Sequence, residues 1–222
     1  MSIIAIGDIH GCASTLTALL DELELKDTDH LVFIGDYVDR GPDSRGVIDI
    51  LRGLQDVVKC TFLRGNHEQL MLNYLDKGEY DLWAMNGGIA TLLSYSDAGL
   101  NEIPEDDVQF IRDTVSYFET DDFFFVHGGL KANYTIQENL EMFDDETFLW
   151  ERTHLMSKEY SWEKPVVCGH TPVDIPTNKD LLINIDTGCV YHQYPGRGVL
   201  TAVRLPEREF VMVPYAEGLK TE

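Results

Sequence analysis

Five times along this chain an apolar run of strand length breaks at or beside a glycine, next to a side chain able to hold a metal. The five are "SIIAIGDIHG", "HLVFIGDYVDRG", "CTFLRGNHE", "DFFFVHGG" and "KPVVCGHTP". Continuous apolar runs of this length predict strands buried on both faces, as in layered α/β architecture. Helical patterns lie between them. Leu16, Leu19, Leu20 and Leu23 repeat at i, i+3, i+4, i+7, with Ser14 as the expected cap, and Asp43 or Ser44 is placed to cap a helix carrying Val47, Ile48, Leu51 and Leu54. Strand, loop and helix in alternation imply βαβ units with right-handed crossovers, which gather functional loops at the carboxyl ends of the strands.

The last third changes character. "LLINIDTGCVY", "GVLTAVRLP" and "REFVMVPY" read as strands joined by short turns, closer to an antiparallel edge or second sheet than to another βαβ unit. Residues 102–151 hold fourteen acidic residues against Arg112 and Lys131, and read as a solvated helical and loop face. At 222 residues and 44% hydrophobic content, the expectation is a single domain spanning 1–222.

Charge narrows the function. Lys and Arg number 17 against 39 Asp and Glu, a formal charge of -22 that repels the phosphate backbone a nucleic-acid binder must neutralise. Cys12, Cys60, Cys168 and Cys189 are widely spaced with no Cys-x-x-Cys pair, as expected of small buried residues in a reducing compartment. "MSIIAIGDIHG" carries no basic n-region and only a short apolar run, so neither a signal peptide nor a membrane anchor is expected. A cytoplasmic protein that avoids membranes and nucleic acids follows, with a monomer an acceptable state.

In "GDIHG", Asp8 and His10 are two apart, so a strand continuing through them points both to one face. Asp36 occupies the equivalent place in "GDYVDRGP", followed by Asp39 and Arg40; His127 and His170 stand at two further strand ends. Any one of these histidines, taken alone, is better explained as a satisfied side chain near a turn. Together Asp8, His10, Asp36, Asn66, His127 and His170 at successive strand ends form a metal-ligand set. Oxygen and imidazole donors without thiolate suit Mn, Fe or Zn, and Asp36 is positioned to bridge two ions.

Two-metal sites serve phosphoester hydrolysis, which also needs cations on the phosphoryl oxygens and an acid for the leaving oxygen. Arg40, and Arg152 in "FLWERT", are the candidate phosphate clamps. Asn66 in "RGNHE" can coordinate through its carbonyl oxygen, while adjacent His67 stays off the metals and serves as general acid, oriented by Asp39. Glu68 falls in the first turn of the next helix, where negative charge is favourable.

In order, "GDIHG", "GDYVDRG", "RGNHE", "VHGG" and "GHT" resemble the signature of the phosphoprotein phosphatase family of metallophosphoesterases, over Gly7 to Thr171. "RGNHEQLM", "WAMNGG" and "LWER" look most like its compact bacterial and bacteriophage lambda type. The resemblance implies a calcineurin-like α/β fold, a central β-sandwich of two mixed sheets flanked by helices. It also implies hydrolysis of phosphoserine or phosphothreonine in a phosphoprotein or phosphopeptide, supported by two divalent ions, Mn2+ above all, without a phosphoenzyme. Asp8, His10 and Asp36 would bind one ion; Asp36, Asn66, His127 and His170 the other. His67 with Asp39 would be the acid pair, with Arg40, Arg152, Asn66 and His67 against the substrate.

One stretch departs from that pattern. "IDTGCV" is similar to bacterial diadenosine tetraphosphate hydrolases of the same superfamily, so a dinucleoside polyphosphate hydrolase is the alternative, and a non-catalytic metal-binding domain a remote one. Those hydrolases often lack the aspartate at the position of Asp39 and carry Asp at that of Glu68. Both signs lean toward the protein phosphatase.

Overall fold

A computed structural model of the chain describes residues 2–218. Its first sheet carries β1 (Ile3–Ile6), β2 (His30–Phe33), β3 (Lys59–Phe62), β9 (Val199–Leu205) and β10 (Glu209–Pro214), in the order β10-β9-β1-β2-β3. The second carries β4 (Tyr117–Glu119), β5 (Phe124–Val126), β6 (Val166–Cys168), β7 (Thr177–Asn178) and β8 (Leu182–Asn184), in the order β4-β5-β6-β8-β7. Both are mixed. The strands β1, β2 and β3 run parallel, as do β5, β6 and β8, while β9, β4 and β7 pair antiparallel.

The period-two alternation of each strand divides its side chains between two cores. Ala5, Val32, Phe125, Val167, Ile183 and Val203 meet in the layer between the sheets. Their neighbours Ile4, Ile6, Leu31 and Phe33 face outward onto α1 (Ala13–Glu22) and α2 (Ser44–Leu54), through Leu16, Leu19, Val47, Ile48 and Leu51. Phe124, Val126, Val166, Cys168 and Leu182 face outward on the other side, onto Ile136, Phe148 and Trp162. The expected sandwich flanked by helices is what forms. The remaining helices are α3 (Asn66–Lys77), α4 (Tyr80–Trp83), α5 (Ile89–Asp97), α6 (Glu105–Arg112), α7 (Ile136–Met142) and α8 (Asp145–Trp150), with a wide turn over Ala84–Gly88 joining α4 to α5.

Three local expectations change. Asp43 caps α2 by accepting from Gly46 N at 2.8 Å, but Ser14 does not cap α1. The Thr15 N–H and hydroxyl there donate to Glu217 Oε1 at 2.8 and 2.9 Å, a carboxylate brought from the far end of the chain. The strand β3 is a sheet edge and only partly buried, unlike β1, β2, β5 and β6. "LLINIDTG" supplies β8, which lies parallel to β6 inside the second sheet. Asn184 is tolerated there because its amide donates to Thr171 O and its oxygen accepts from Asp186 N. The antiparallel reading holds for β9 and β10, the hairpin beside β1.

The 102–151 region is also more than a solvated face. It contains the core strand β5, and two of its acids are buried. Asp107 accepts from Arg52 at 2.5 Å and Tyr95 at 3.0 Å, and Glu151 pairs with Lys131. No helix among the described residues is long and apolar enough to cross a membrane.

Candidate active site

Because β1, β2, β3, β5 and β6 share a direction within their sheets, the loops leaving them converge at one end of the sandwich. Asp8, His10, Asp36, Asn66, His67, His127 and His170 are all buried there. The chain turns sharply to deliver them: His10, Asp36, Asp39, Arg40 and His170 all have φ between 48° and 71°, a region that non-glycine residues enter at a cost. Glycine is required where a second loop presses against a ligand. A Cβ on Gly65 would collide with Asp36, and one on Gly169 with Asp8.

Asp36 is the hub. Its Oδ2 lies 3.4 Å from His10 Nε2 and its Oδ1 3.3 Å from His127 Nε2, so the two oxygens face imidazoles on opposite sides. Asp8 accepts from His170 N at 3.0 Å. Asn66 Oδ1 lies 3.0 Å from His127 Nε2 and 2.8 Å from His170 Nδ1. Among the described residues two ligand triplets emerge, His10, Asp36 and His67 on one side and Asp36, His127 and His170 on the other, each with its donor atoms within 4.8 Å of one another. Of the expected ligands, His10, Asp36, His127 and His170 fall in these triplets and Asn66 touches both histidines of the second; Asp8 is in neither and lies beside them through the His170 backbone N–H, while His67 is an extra member of the first.

The donor set suits divalent cations. His10 Nδ1 faces Val38 O at 2.9 Å and His127 Nδ1 faces Ile34 O at 3.0 Å. Each Nδ1 must carry the proton, leaving the Nε2 lone pair pointed at Asp36. Lone pairs opposed to carboxylate oxygens at 3.3–3.4 Å repel unless a cation lies between them. Burial pushes His10 and His127 down, and His170 down to about 2, so imidazolium does not supply that cation at neutral pH.

The carboxylates need the same positive charge. Burial, with repulsion from Asp186 and Asp36, raises Asp8 well above the usual carboxylate range, and burial raises Asp186 to about 7. Burial also opposes ionisation of Asp36, but the four surrounding imidazoles, His127 foremost, hold it below the usual range to the extent that they are charged. With His10, His127 and His170 neutral, keeping the buried carboxylates ionised falls to cations, and the chain itself supplies Arg40 to both Asp8 and Asp186.

Both arginines reach the rim. Arg40 Nη1 is 2.6 Å from His10 Nε2, and Arg152 Nε donates to His170 Nε2 at 2.9 Å. They stand on the two sides of the ligand set, each against a different histidine.

His67 differs from the other imidazoles. Its Nδ1 bonds Asp39 Oδ2 at 2.7 Å, and its Nε2 is buried with no hydrogen-bond partner among the described residues, 4.0 Å from Asp36 Oδ2. A donor locked on one nitrogen and free on the other is poised to hold a proton toward the centre. Asp39 is itself gripped from all sides. Trp83 Nε1–H donates to its two oxygens at 3.0 and 2.9 Å and the Thr91 hydroxyl to Oδ1 at 2.7 Å, while Asp39 N donates to Thr91 Oγ1 at 2.9 Å. Gly87 O accepts from Arg40 N at 3.2 Å. The stretch "WAMNGGIAT" is thus a brace under the Asp39–Arg40 turn.

No local pattern in the sequence assigns Trp83 or the Met85–Gly88 turn to the site. Thr91 is equally unmarked, and Glu68 does more than favour the first turn of its helix. The Glu68 carboxylate accepts from the backbone N–H of Gly65, Asp36 and Tyr37, each at 2.8 Å, and of Val38 at 3.3 Å, tying the start of α3 to the turn after β2. Asp186 was also missed. It follows β8 as the others follow their strands, but its glycine, Gly188, stands two residues on rather than beside it, and Asn184 interrupts the apolar run that would have marked it.

The chain matches the calcineurin-like phosphoesterase family over residues 1–198. It is 31% identical over 238 residues to the asymmetrical bis(5'-nucleosyl)-tetraphosphatase PrpE of Bacillus subtilis, covering 94% of this chain and 93% of that one. Serine/threonine-protein phosphatase 1 of Salmonella typhimurium is 45% identical over 84 residues, 37% of either chain. A crystal structure of a proposed diadenosine tetraphosphatase superposes with a TM-score of 0.71 at 26% identity, covering 98% of this chain and 95% of that one.

Proposed function

The chain belongs to the calcineurin-like phosphoesterase family, and from that premise we propose that it hydrolyses dinucleoside tetraphosphates asymmetrically, to a nucleoside triphosphate and a nucleoside monophosphate. One observation carries the choice of substrate: similarity to a bis(5'-nucleosyl)-tetraphosphatase runs nearly end to end, whereas similarity to the protein phosphatase stops at 37% of the chain. The expected substrate class accordingly moves from phosphoproteins to nucleotides.

In this reading Asp8, His10 and Asp36 hold one divalent ion, and Asp36, Asn66, His127 and His170 the other. Mn2+ is the first candidate because the donors are carboxylate, amide and imidazole. Bound there, two ions supply an activated water and neutralise charge on the transferring phosphoryl group. The residues do the rest. Arg40 and Arg152, free to leave His10 and His170, clamp the phosphate bridge on both sides. Asp39 holds His67 at Nδ1 and so aims Nε2 at the departing oxygen, where it can supply a proton that an alkoxide would require and a departing nucleotide does not. A nitrogen that coordinates a cation has no proton to give, which separates His67 from its neighbours in the first triplet.

The second reading, a serine/threonine phosphatase, is favoured by the His67–Asp39 pair, because a departing alkoxide needs a proton far more than a departing nucleotide does. Metal-stripped protein resupplied with Mn2+ decides between them. Cleavage of diadenosine tetraphosphate is expected to exceed phosphate release from phosphothreonine peptides; the reverse preference would return the protein to the phosphatases.

A further inference from the structure

We infer that the loop after Asp186 builds a nucleoside subsite, in which Tyr191 and Tyr194 receive one base of the substrate beside Arg40. The inference deepens the nucleotide reading above. Arg40 leans away from the ligand set as well as toward it: its guanidinium carbon lies 5.6 Å from the centroid of the Tyr191 ring. Beyond that ring opens a pocket of about 450 Å³, lined by Pro172, Asp174, Tyr191, Tyr194, Pro195 and Arg197. The volume is that of a small-ligand site.

Its chemistry is that of base recognition. Tyr194 is 58% exposed, and its one aromatic neighbour among the described residues is Tyr191, with ring centroids 6.2 Å apart. Apolar aromatic surface held in the open beside two prolines offers a face on which a base can stack. Asp174 supplies a carboxylate at the edge, able to accept from an exocyclic amine, and it pairs there with Arg197.

The loop is also held in shape before any ligand arrives. Gly198 N donates to Gly188 O at 2.9 Å, closing it, and Tyr191 N and Tyr194 N make successive turns at 2.9 Å. Arg197 donates to Pro172 O at 2.9 Å and packs in the notch of Gly188, where a Cβ would meet its Cδ at 2.7 Å. A preformed site forfeits little conformational entropy on binding. A groove on the opposite side, beside Asn66 and Trp150, is lined by Asp145 and Glu146 against the single cation Lys77, a net negative charge that disfavours a polyphosphate.

Two measurements on the Mn2+-loaded protein test the inference. Tyr194→Ala removes a mostly exposed ring and is expected to raise KM for diadenosine tetraphosphate about tenfold, with kcat/KM on p-nitrophenyl phosphate, which has no nucleoside, within about twofold of wild type. Tyr194→Phe, which keeps the stacking face, is expected to restore the wild-type KM. Independently of turnover, adenosine 5'-monophosphate titrated by calorimetry is expected to bind Tyr194→Ala about tenfold more weakly than wild type. Equal binding to both proteins, or to neither, overturns the subsite even if the dinucleotide is cleaved. Failure of wild type to cleave the dinucleotide while the binding difference persists would instead overturn the proposed reaction and leave the subsite standing.

Discussion

His67 and its support show how one side chain is given a role its neighbours lack. Four imidazoles crowd this end of the sandwich, and His67 alone among them is held by a carboxylate at 2.7 Å that is itself buried and held by Trp83 and Thr91. His67→Asn is expected to keep both metal ions and to lose about 100-fold or more in kcat on a phosphothreonine peptide, but less than about tenfold on p-nitrophenyl phosphate or diadenosine tetraphosphate, whose leaving groups need no proton. Metal analysis of the variant checks the first half, and loss of an ion would make His67 a ligand. Trp83→Phe takes one donor from Asp39 and should reproduce the same leaving-group pattern on a smaller scale; a uniform loss on all substrates would mean that Trp83 only packs.

At the scale of elements, the second sheet is closed over a buried histidine that takes no part in the proposed chemistry. His154, just past α8, stacks over Gly129 where a Cβ would overlap its ring, and lies 5.9 Å from Trp162. Its Nδ1 has no partner among the described residues, and burial pushes the imidazole down to about 4. The unfolded chain, with an ordinary value of about 6.5, therefore binds more protons than the folded one between the two values, and stability falls as pH drops through that window. The loss is at most about 3 kcal/mol and is complete below pH 4. His154→Phe should flatten urea-derived stability between pH 6.5 and 4 by about one proton's slope; an unchanged slope would mean that other groups carry the acid lability. His154 belongs to what the sequence left hidden, and the contrast is physical. The ligands were legible because each is announced locally, by an apolar strand and an adjacent glycine. Glu68 acts across 30 to 32 residues, Trp83 across 44 and Glu217 across 202, and no local pattern marks such contacts. That β8 lies inside the second sheet and parallel to β6, rather than at an antiparallel edge, was hidden for the same reason: what tolerates Asn184 there is a bond to Thr171.

The whole molecule sets a field that its site must overcome. A formal charge of -22 surrounds a centre whose own cations are Arg40, Arg152 and the two ions proposed to bind there. At close range those cations dominate, because buried charges in a poorly polarisable setting interact strongly. At encounter distance the net charge dominates, and a tetraphosphate bridge is repelled. Salt changes the balance in a definite direction. The Debye length shrinks from about 30 Å at 0.01 M to about 8 Å at 0.15 M, which removes the long-range repulsion and leaves much of the short-range attraction. We therefore expect kcat/KM for diadenosine tetraphosphate to rise several-fold between about 10 mM and about 150 mM salt, opposite to the fall seen where a substrate is steered electrostatically. A basic phosphopeptide, attracted by the same field, should show the reverse. Steady-state rates on both substrates across that range make the test, and a dinucleotide rate that falls with salt would mean that the arginines and metals, rather than the acidic surface, govern approach to the site.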